Sequence, residues 1–165
     1  MINYVIGDAT KPKKGPAKKA PEPHVIAHCC NDIGAWGAGF VMALSKMSRK
    51  PERKYRDWAN GRLDGGAPME LGNVQLVRLD VELYVANMIG QTGIYERNGV
   101  PPIRYDAIET CLNKVASWTW QKGGSIHMPR IGCGLAGGDW AKMEEILLRV
   151  QAKNDNIPMY VYDLC

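Results

Sequence analysis

The sequence predicts an α/β fold of three layers (α/β/α), with helices on both faces of a central mixed sheet. Apolar runs typical of buried strands alternate with segments of helical periodicity along the 165 residues. Two of these strands lead through a glycine-rich loop into a helix, at residues 31–40 and 129–140. Two apolar runs joined by a short turn, at residues 71–79 and 82–89, predict a hairpin. An antiparallel hairpin beside strands that alternate with helices makes the predicted sheet mixed.

Each element has its own signal. Residues 24–30 are almost entirely apolar, which is typical of a strand buried on both faces. Residues 105–121 carry apolar side chains at a helical spacing, and Gly123 and Gly124 end that helix. The predicted strands are residues 2–7, 24–30, 71–79, 82–89, 125–128 and 158–164. The predicted helices are residues 41–47, 51–59, 105–121 and 140–150.

Composition favours a globular protein, because 45% of the residues are apolar and 23% are charged. The length predicts a single domain over residues 1–165. No apolar run approaches the ~20 residues that span a bilayer, and no signal peptide opens the chain. Five cysteines without a Cys-x-x-Cys pair predict reduced thiols and no metal site. We therefore expect a cytoplasmic monomer with no membrane partner, no metal and no cofactor.

Residues 11–23 are dominated by lysine and proline and predict an exposed loop inserted into the domain. Their positive charge is one way to contact nucleic acid. The segment has no interleaved aromatic residues on which bases could stack, so a solvated surface loop is favoured. We do not expect a nucleic-acid partner.

The two glycine-rich loops, together with the corner at Gly7 and Asp8, follow predicted strands. In such sheets, ligands bind outside the carboxyl ends of the strands. Successive free N–H groups in a glycine-rich loop, with a helix start behind them, favour an anion such as phosphate. A tight turn without a ligand would explain either loop alone, but three loops at one edge favour a binding site.

Three segments carry a resemblance to a known family. They are Gly7-Asp8-Ala9-Thr10, His28-Cys29-Cys30-Asn31 running into Gly34-Ala35-Trp36-Gly37-Ala38-Gly39, and Pro129-Arg130-Ile131-Gly132-Cys133-Gly134-Leu135 before Trp140. Their order and spacing resemble those of macrodomains, over the whole chain except the lysine-proline insert. The resemblance implies a three-layer α/β/α macrodomain fold and a cleft that binds ADP-ribose or related nucleotides.

The pattern His-x-x-Asn followed by Gly-x-Trp-Gly-x-Gly resembles the branch that includes ADP-ribose 1″-phosphate phosphatases. A sister group shares the Pro-Arg-Ile-Gly-Cys-Gly-Leu loop and hydrolyses ADP-ribosyl esters on glutamate. That group relies on a lysine after the middle strand and an aspartate after Gly-Leu, where this chain has Gln91 and Ala136. Both groups of that mechanism are therefore missing, and whether Asp139 could substitute is open.

The resemblance implies a set of ligand-binding residues. Asp8 would accept a hydrogen bond from the adenine amino group, although an Asx turn also explains it. Amides of residues 37–39 and 132–134 would hold the pyrophosphate from two sides, and Asn31 would face the distal ribose. The implied ligand-binding residues are Gly7, Asp8, Ala9, Asn31, Trp36, Gly37, Ala38, Gly39, Pro129, Ile131, Gly132, Cys133, Gly134 and Leu135.

The candidate catalytic residues are His28, Asn31, Asp32 and Asp139. His28 is suited to proton transfer because an imidazole titrates near neutral pH, but a satisfied core histidine is the alternative. Asp32 or Asp139 could orient a water molecule. The predicted function is binding of ADP-ribose and hydrolysis of its 1″-phosphate. The alternatives are a non-catalytic reader of free or macromolecule-linked ADP-ribose, and a mono-ADP-ribosyl hydrolase.

Overall fold

The computed structural model describes residues 1–12, 22–62 and 66–164. Most of the predicted insert at residues 11–23 lies outside these residues. The strands are β1 (Ile2–Ile6), β2 (His24–Asn31), β3 (Val74–Asp80), β4 (Leu83–Gln91), β5 (Ser125–Met128) and β6 (Met159–Asp163). The helices are α1 (Phe40–Met47), α2 (Lys50–Ala59), α3 (Tyr105–Gln121) and α4 (Trp140–Lys153). All ten predicted elements are present, in the predicted order.

The six strands form one sheet in the order β1-β6-β5-β2-β4-β3. All neighbouring pairs are parallel except β3 and β4, which form the predicted antiparallel hairpin. The sheet is therefore mixed, as the sequence predicts. Because β1, β2, β4, β5 and β6 run in the same direction, their carboxyl ends lie at one edge, where the loops after β2 and β5 begin.

Side chains of β2 alternate between two cores, as successive residues of a strand must. Val25 and Ala27 pack in a cluster with buried side chains of α3 and α4. Ile26 and Cys30 pack in a second cluster with α1 and α2, where Tyr55 is fully buried. Helices therefore cover both faces of the sheet, which confirms the three-layer prediction.

The hairpin begins later than its apolar pattern indicates. Residues 71–73 form a turn in which the Gly72 N–H donates to the Ile89 carbonyl and the Asn73 N–H donates to the Glu70 carbonyl. Regular pairing of β3 starts only at Val74. In the described ranges, no helix is long and apolar enough to cross a membrane. The cysteines within those ranges, Cys29, Cys30, Cys111 and Cys133, are free thiols.

Candidate functional site

The loops after β2 and β5 meet at the carboxyl edge of the sheet and enclose a cavity of about 350 Å³, called here the glycine cavity. One wall is formed by residues 38–41, at the start of α1, and the other by residues 129–132 and 134–136. His28, Cys29 and Gln91, from the ends of β2 and β4, complete the lining. Two loops that are about 90 residues apart in sequence therefore share one concave site.

A second cavity of about 430 Å³, called here the tryptophan cavity, adjoins the first. Five residues line both cavities, so the two form one continuous cleft: Cys29, Ala38, Val41, Gln91 and Leu135. The tryptophan cavity is otherwise lined by Cys30, Asn31, Ala35, Trp36, Gly37, Tyr55, Ile94 and Tyr95. No charged side chain is among these described lining residues.

The buried amide of Asn31 holds the loop between β2 and α1 in shape. Its Oδ1 accepts hydrogen bonds from the N–H groups of Ile33 and Ala35, each at 3.1 Å, and from the Tyr55 hydroxyl at 2.8 Å. Its Nδ2 donates to the Ala35 carbonyl at 2.5 Å. Only the second Nδ2 proton is left for a ligand, so the geometry assigns Asn31 mainly to positioning the loop.

The start of α1 presents a row of free amide groups. Gly39 is the N-cap, with φ of 85°, and contributes no side chain to cap the helix. Within the described residues, the N–H groups of residues 37–41 have no hydrogen-bond acceptor. A helix N-terminus with unpaired donors attracts anions through these N–H groups and through the helix dipole.

The loop after β5 presents a second row of free amides. The N–H groups of Gly137 and Gly138 are used internally, by the carbonyls of Gly134 and Gly132. The amides of Gly132, Gly134, Leu135 and Ala136 have no acceptor among the described residues. Gly132 has φ of +72°, and a Cβ there would lie 2.5 Å from Ile103 Cδ1, so only glycine fits.

Cys133 differs from the expectation that its amide faces the anion. Its N–H donates to the Arg130 carbonyl at 3.3 Å, because residues 130–133 form a tight turn. The side chain packs against the core that includes α3 and α4, and burial raises the pKa of its thiol. The free donors of this loop are therefore the amides of Gly132 and of residues 134–136.

His28 is almost fully buried beside the glycine cavity. Its Nε2 lies 2.5 Å from Asn87 Oδ1, and its ring packs edge-on against Trp36 with centroids 5.5 Å apart. Burial lowers the pKa of His28 to about 4, partly offset by the hydrogen bond to Asn87. The imidazole is therefore neutral at pH 7, where it can accept a hydrogen bond but does not carry a positive charge.

The two candidate aspartates have local structural partners. Asp32 Oδ1 accepts a hydrogen bond from the Gly93 N–H at 2.9 Å and so fixes the loop after β4. Asp139 is the N-cap of α4, and its Oδ1 accepts a hydrogen bond from the Ala141 N–H at 2.9 Å. Neither carboxylate lines the glycine or the tryptophan cavity.

The corner after β1 lies close to the loop after β5. The Gly7 N–H donates to the Asp163 carbonyl at 2.8 Å, and the Asp163 carboxylate binds the Arg130 guanidinium through two hydrogen bonds of 2.8 and 2.9 Å. Asp8 Oδ1 accepts hydrogen bonds from the N–H and hydroxyl groups of Thr10. These bonds lower the pKa of Asp8 and form the Asx turn that the sequence allowed as an alternative. Asp8 Oδ2 has no described hydrogen-bond partner.

Comparison with known proteins identifies the family. No protein-family model matches the chain. A Bacteroides thetaiotaomicron protein of unknown function is 49% identical, with a TM-score of 0.89, over 99% of this chain and 98% of that one. A macrodomain protein from Streptomyces coelicolor is 41% identical, with a TM-score of 0.81, over 99% of each chain. This chain is a macrodomain.

Curated relatives are more distant. The macrodomain is 32% identical over 98% of its length to the mouse Chromodomain-helicase-DNA-binding protein 1-like, but it spans only 17% of that protein. It is 25% identical to an ADP-ribose 1″-phosphate phosphatase from Candida albicans, over 98% of this chain and 99% of that one. Thermosipho africanus DarTG in complex with ADP-ribose shares the fold, with a TM-score of 0.61 and 17% identity over 84% of this chain and 37% of that one.

Most residues predicted for the site line the cleft of this macrodomain. Those that do are His28, Asn31, Trp36, Gly37, Ala38, Gly39, Pro129, Ile131, Gly132, Gly134 and Leu135. Gly7, Asp8, Ala9, Asp32, Cys133 and Asp139 line neither cavity. The adenine contact of Asp8 and the catalytic roles of Asp32 and Asp139 stay predictions.

Sequence reasoning missed the residues that support the cleft from behind. Tyr55 and Asn87 are fully buried and hold Asn31 and His28, respectively. The buried face of α2 gives a signal for Tyr55, because Pro51, Tyr55 and Trp58 follow a helical spacing. The partner of the Tyr55 hydroxyl has no signal in sequence. Asn87, a polar residue within the buried apolar run of β4, could have been singled out as needing a hydrogen-bond partner.

Proposed function

We propose that this macrodomain binds ADP-ribose in the cleft and hydrolyses ADP-ribose 1″-phosphate to ADP-ribose and phosphate. The observation that carries the proposal is that two sets of free backbone amides, those of residues 38–41 and those of Gly132 and residues 134–136, line the same glycine cavity. Its 25% identity to a phosphatase of that name from Candida albicans supports the choice of reaction.

The glycine cavity suits a diphosphate. Backbone N–H groups that converge from two loops bind phosphate oxygens without a lysine, because each amide contributes a fixed partial positive charge. The dipole of α1 adds to this charge from one side. Arg130 also lines the cavity, but the Asp163 carboxylate already pairs with its guanidinium, so the amides provide the main attraction for the diphosphate.

The tryptophan cavity then receives the distal ribose with its 1″-phosphate. Water attacks the phosphorus, the bond from phosphorus to the ribose oxygen breaks, and the ribose oxygen takes up a proton as inorganic phosphate leaves. Neutral His28, which belongs to β2 and lines the adjoining glycine cavity, accepts a hydrogen bond from the water or from a ribose hydroxyl at the junction of the two cavities. Positioning and fixed dipoles supply the catalysis, so we expect slow turnover.

The test pairs a charged with a neutral substitution at Ala38, which lines both cavities, is exposed, and is not among the residues with positive φ. Ala38→Glu places a carboxylate beside the diphosphate, whereas Ala38→Gln adds the same volume without charge. One like charge at roughly 5 Å, between a surface and a bulk-water dielectric, costs about 1–3 kcal/mol. We expect ADP-ribose affinity, measured by calorimetry, to fall ~5- to ~150-fold more in Ala38→Glu than in Ala38→Gln.

Turnover is measured as inorganic phosphate released from ADP-ribose 1″-phosphate. The native protein should release phosphate, and a His28→Ala, Asn31→Ala double variant should not. Equal affinity of the two Ala38 variants would place the diphosphate elsewhere. No release above the double variant would exclude the phosphatase.

A non-catalytic reader of ADP-ribose is the second candidate. It is favoured by the lining of the tryptophan cavity, where the described residues offer no charged side chain as a general acid or base. Gln91 and Ala136, both in the cleft, also replace the lysine and aspartate of the ester-hydrolysing group. Tight ADP-ribose binding without turnover on 1″-phosphorylated or ester-linked substrates would select the reader.

The cellular context and oligomeric state of the protein belong to the same proposal. The chain would act as a monomer in the cytoplasm, on ADP-ribose derivatives that are free or linked to a macromolecule, and without a nucleic-acid partner. Its composition supports this context, and light scattering of the purified protein with and without ADP-ribose tests the monomer.

A further inference from the structure

A chain of three polar side chains runs from the backbone of α2 to His28. Gln75 Nε2 donates to the Lys54 carbonyl at 2.8 Å. Asn87 Nδ2 donates to Gln75 Oε1 at 3.0 Å and to the Pro51 carbonyl at 3.2 Å. Asn87 Oδ1 lies 2.5 Å from His28 Nε2. These side chains belong to β3, β4 and β2, so the chain crosses the sheet on the face that α2 covers.

The backbone carbonyls of α2 determine which way each amide points. A carbonyl oxygen can only accept a hydrogen bond, so the atom of Asn87 that faces Pro51 must be the nitrogen. The same argument, applied to the Lys54 carbonyl, orients Gln75 with its oxygen towards Asn87. Asn87 therefore presents its oxygen to His28, and because that oxygen can only accept, the proton of the imidazole must be on Nε2.

The other ring nitrogen of His28 is left without a proton. Burial holds the pKa of His28 at about 4, so the ring carries a single proton at neutral pH. The titratable group in contact with the ring is the Cys30 thiol, whose Sγ lies 3.8 Å from Nδ1 and 3.7 Å from Nε2. Arg130 lines the same cavity, and its guanidinium is paired with Asp163. Trp36 and Phe40 pack against the ring and are uncharged.

We propose that Asn87 is a positioning residue, which fixes His28 as the Nε2–H tautomer and so makes Nδ1 the hydrogen-bond acceptor that His28 offers to the ligand in the cleft. This inference rests on the proposed function, because it gives Nδ1 a hydroxyl or water of the ADP-ribose complex to bind. The inference also determines which group donates in that contact. The ligand or its water donates the hydrogen bond, and Nδ1 of His28 accepts it.

The tautomer is measured directly by correlating the ring nitrogens of the three histidines with their carbon-bound protons in ¹⁵N-labelled protein. His28→Gln assigns the His28 signals. We expect Nε2 to be protonated and Nδ1 bare at pH 7, with the Nδ1 signal shifting when ADP-ribose is added. A protonated Nδ1 in the native protein would overturn the inference whether or not the protein turns over any substrate.

Two variants separate positioning from general structural support. Asn87→Asp places a carboxylate at Nε2, which favours the imidazolium and should raise the pKa of His28 by about 1–3 units. The acid limb of the pH dependence of phosphate release should move up by the same amount. Gln75→Met is the matched control, because Pro51 still orients Asn87, and it should keep both the tautomer and the pH profile.

A His28 proton on Nδ1 in a folded Asn87→Asp variant would refute the positioning role, because a carboxyl oxygen still accepts at Nε2 in that variant. If that variant does not fold, Asn87→Leu gives the same information, because an unpaired Nε2–H should shift the proton to Nδ1. Retention of the Nε2–H tautomer in Asn87→Leu would equally refute it. Absence of phosphate release by the native protein would remove the phosphatase proposal alone, since the nitrogen signals do not depend on turnover.

Discussion

Replacing Asn31 with alanine should destabilise the protein more than it impairs any single chemical step. The change leaves three groups without their partner: the N–H groups of Ile33 and Ala35 and the Ala35 carbonyl. The Tyr55 hydroxyl keeps a partner, because it also donates to the Asn31 carbonyl at 2.6 Å. At about 1 kcal/mol for each lost hydrogen bond, the free energy of unfolding should fall by about 3 kcal/mol.

Urea denaturation measures this loss, and calorimetry measures ADP-ribose affinity on the same samples. A fall of about 3 kcal/mol corresponds to a midpoint temperature lower by roughly 6–12 °C in a chain of this size. Affinity should fall as well, because the loop that presents the amides of residues 37–41 is no longer held in its binding conformation.

Two controls test whether the loop geometry is responsible. Asn31→Asp keeps the acceptor for both N–H groups and should retain more stability than Asn31→Ala. Tyr55→Phe removes only the hydroxyl and should cost about 1 kcal/mol. If Asn31→Ala unfolds like the native protein and binds ADP-ribose normally but has lost turnover, Asn31 acts on the substrate and our assignment to positioning is wrong.

Two further predictions concern the core and the histidines. Gly90→Ala would place a Cβ 2.5 Å from Ile108 Cγ1 and 2.9 Å from Cys29 Sγ, so it should lower the free energy of unfolding by about 1–3 kcal/mol in urea titrations. Gly134→Ala has open space and should change it by less than about 0.5 kcal/mol; equal effects would contradict the packing argument. Burial lowers the pKa of His28 to about 4 and that of His127 to about 3, from about 6.5 in the unfolded chain. The unfolded state therefore binds more protons below pH ~6.5, so stability falls as the pH is lowered, down to pH ~4 for His28 and ~3 for His127. At pH 5, unfolding of His28→Gln should take up about one proton fewer than unfolding of the native protein, and equal uptake would disprove a neutral buried His28.

The fold could be predicted because its signals are local. The apolar run of residues 24–30, flanked by a proline and a glycine-rich loop, needs no knowledge of the rest of the chain to be assigned to a strand. The strand order does not depend on local signals, because β1 pairs with β6 across more than 150 residues. Sequence periodicity carries no information about such pairings.

The glycine-rich loops that line the cleft can be predicted from the sequence, whereas the hydrogen-bond partners of the polar side chains beside them cannot. Gly37, Gly39 and Gly132 have positive φ. Because positive φ favours glycine, the glycines in the sequence themselves indicate these positions. The roles of Asn31, Asp32 and Asp139 depend on which backbone N–H groups their oxygens meet, and each meets at least one within its own loop or a neighbouring one. Three-dimensional packing determines these partners, so the sequence alone does not show which backbone groups a polar residue beside a glycine loop binds.

A crystal structure of the complex with ADP-ribose tests the central claim most directly. The account predicts diphosphate oxygens about 3 Å from amide nitrogens of two segments, residues 37–41 and the set of Gly132 with residues 134–136. A diphosphate bound instead by lysine and arginine side chains, for example in the separate cavity of about 580 Å³ that Lys50 and Arg78 line beside β3, would contradict it.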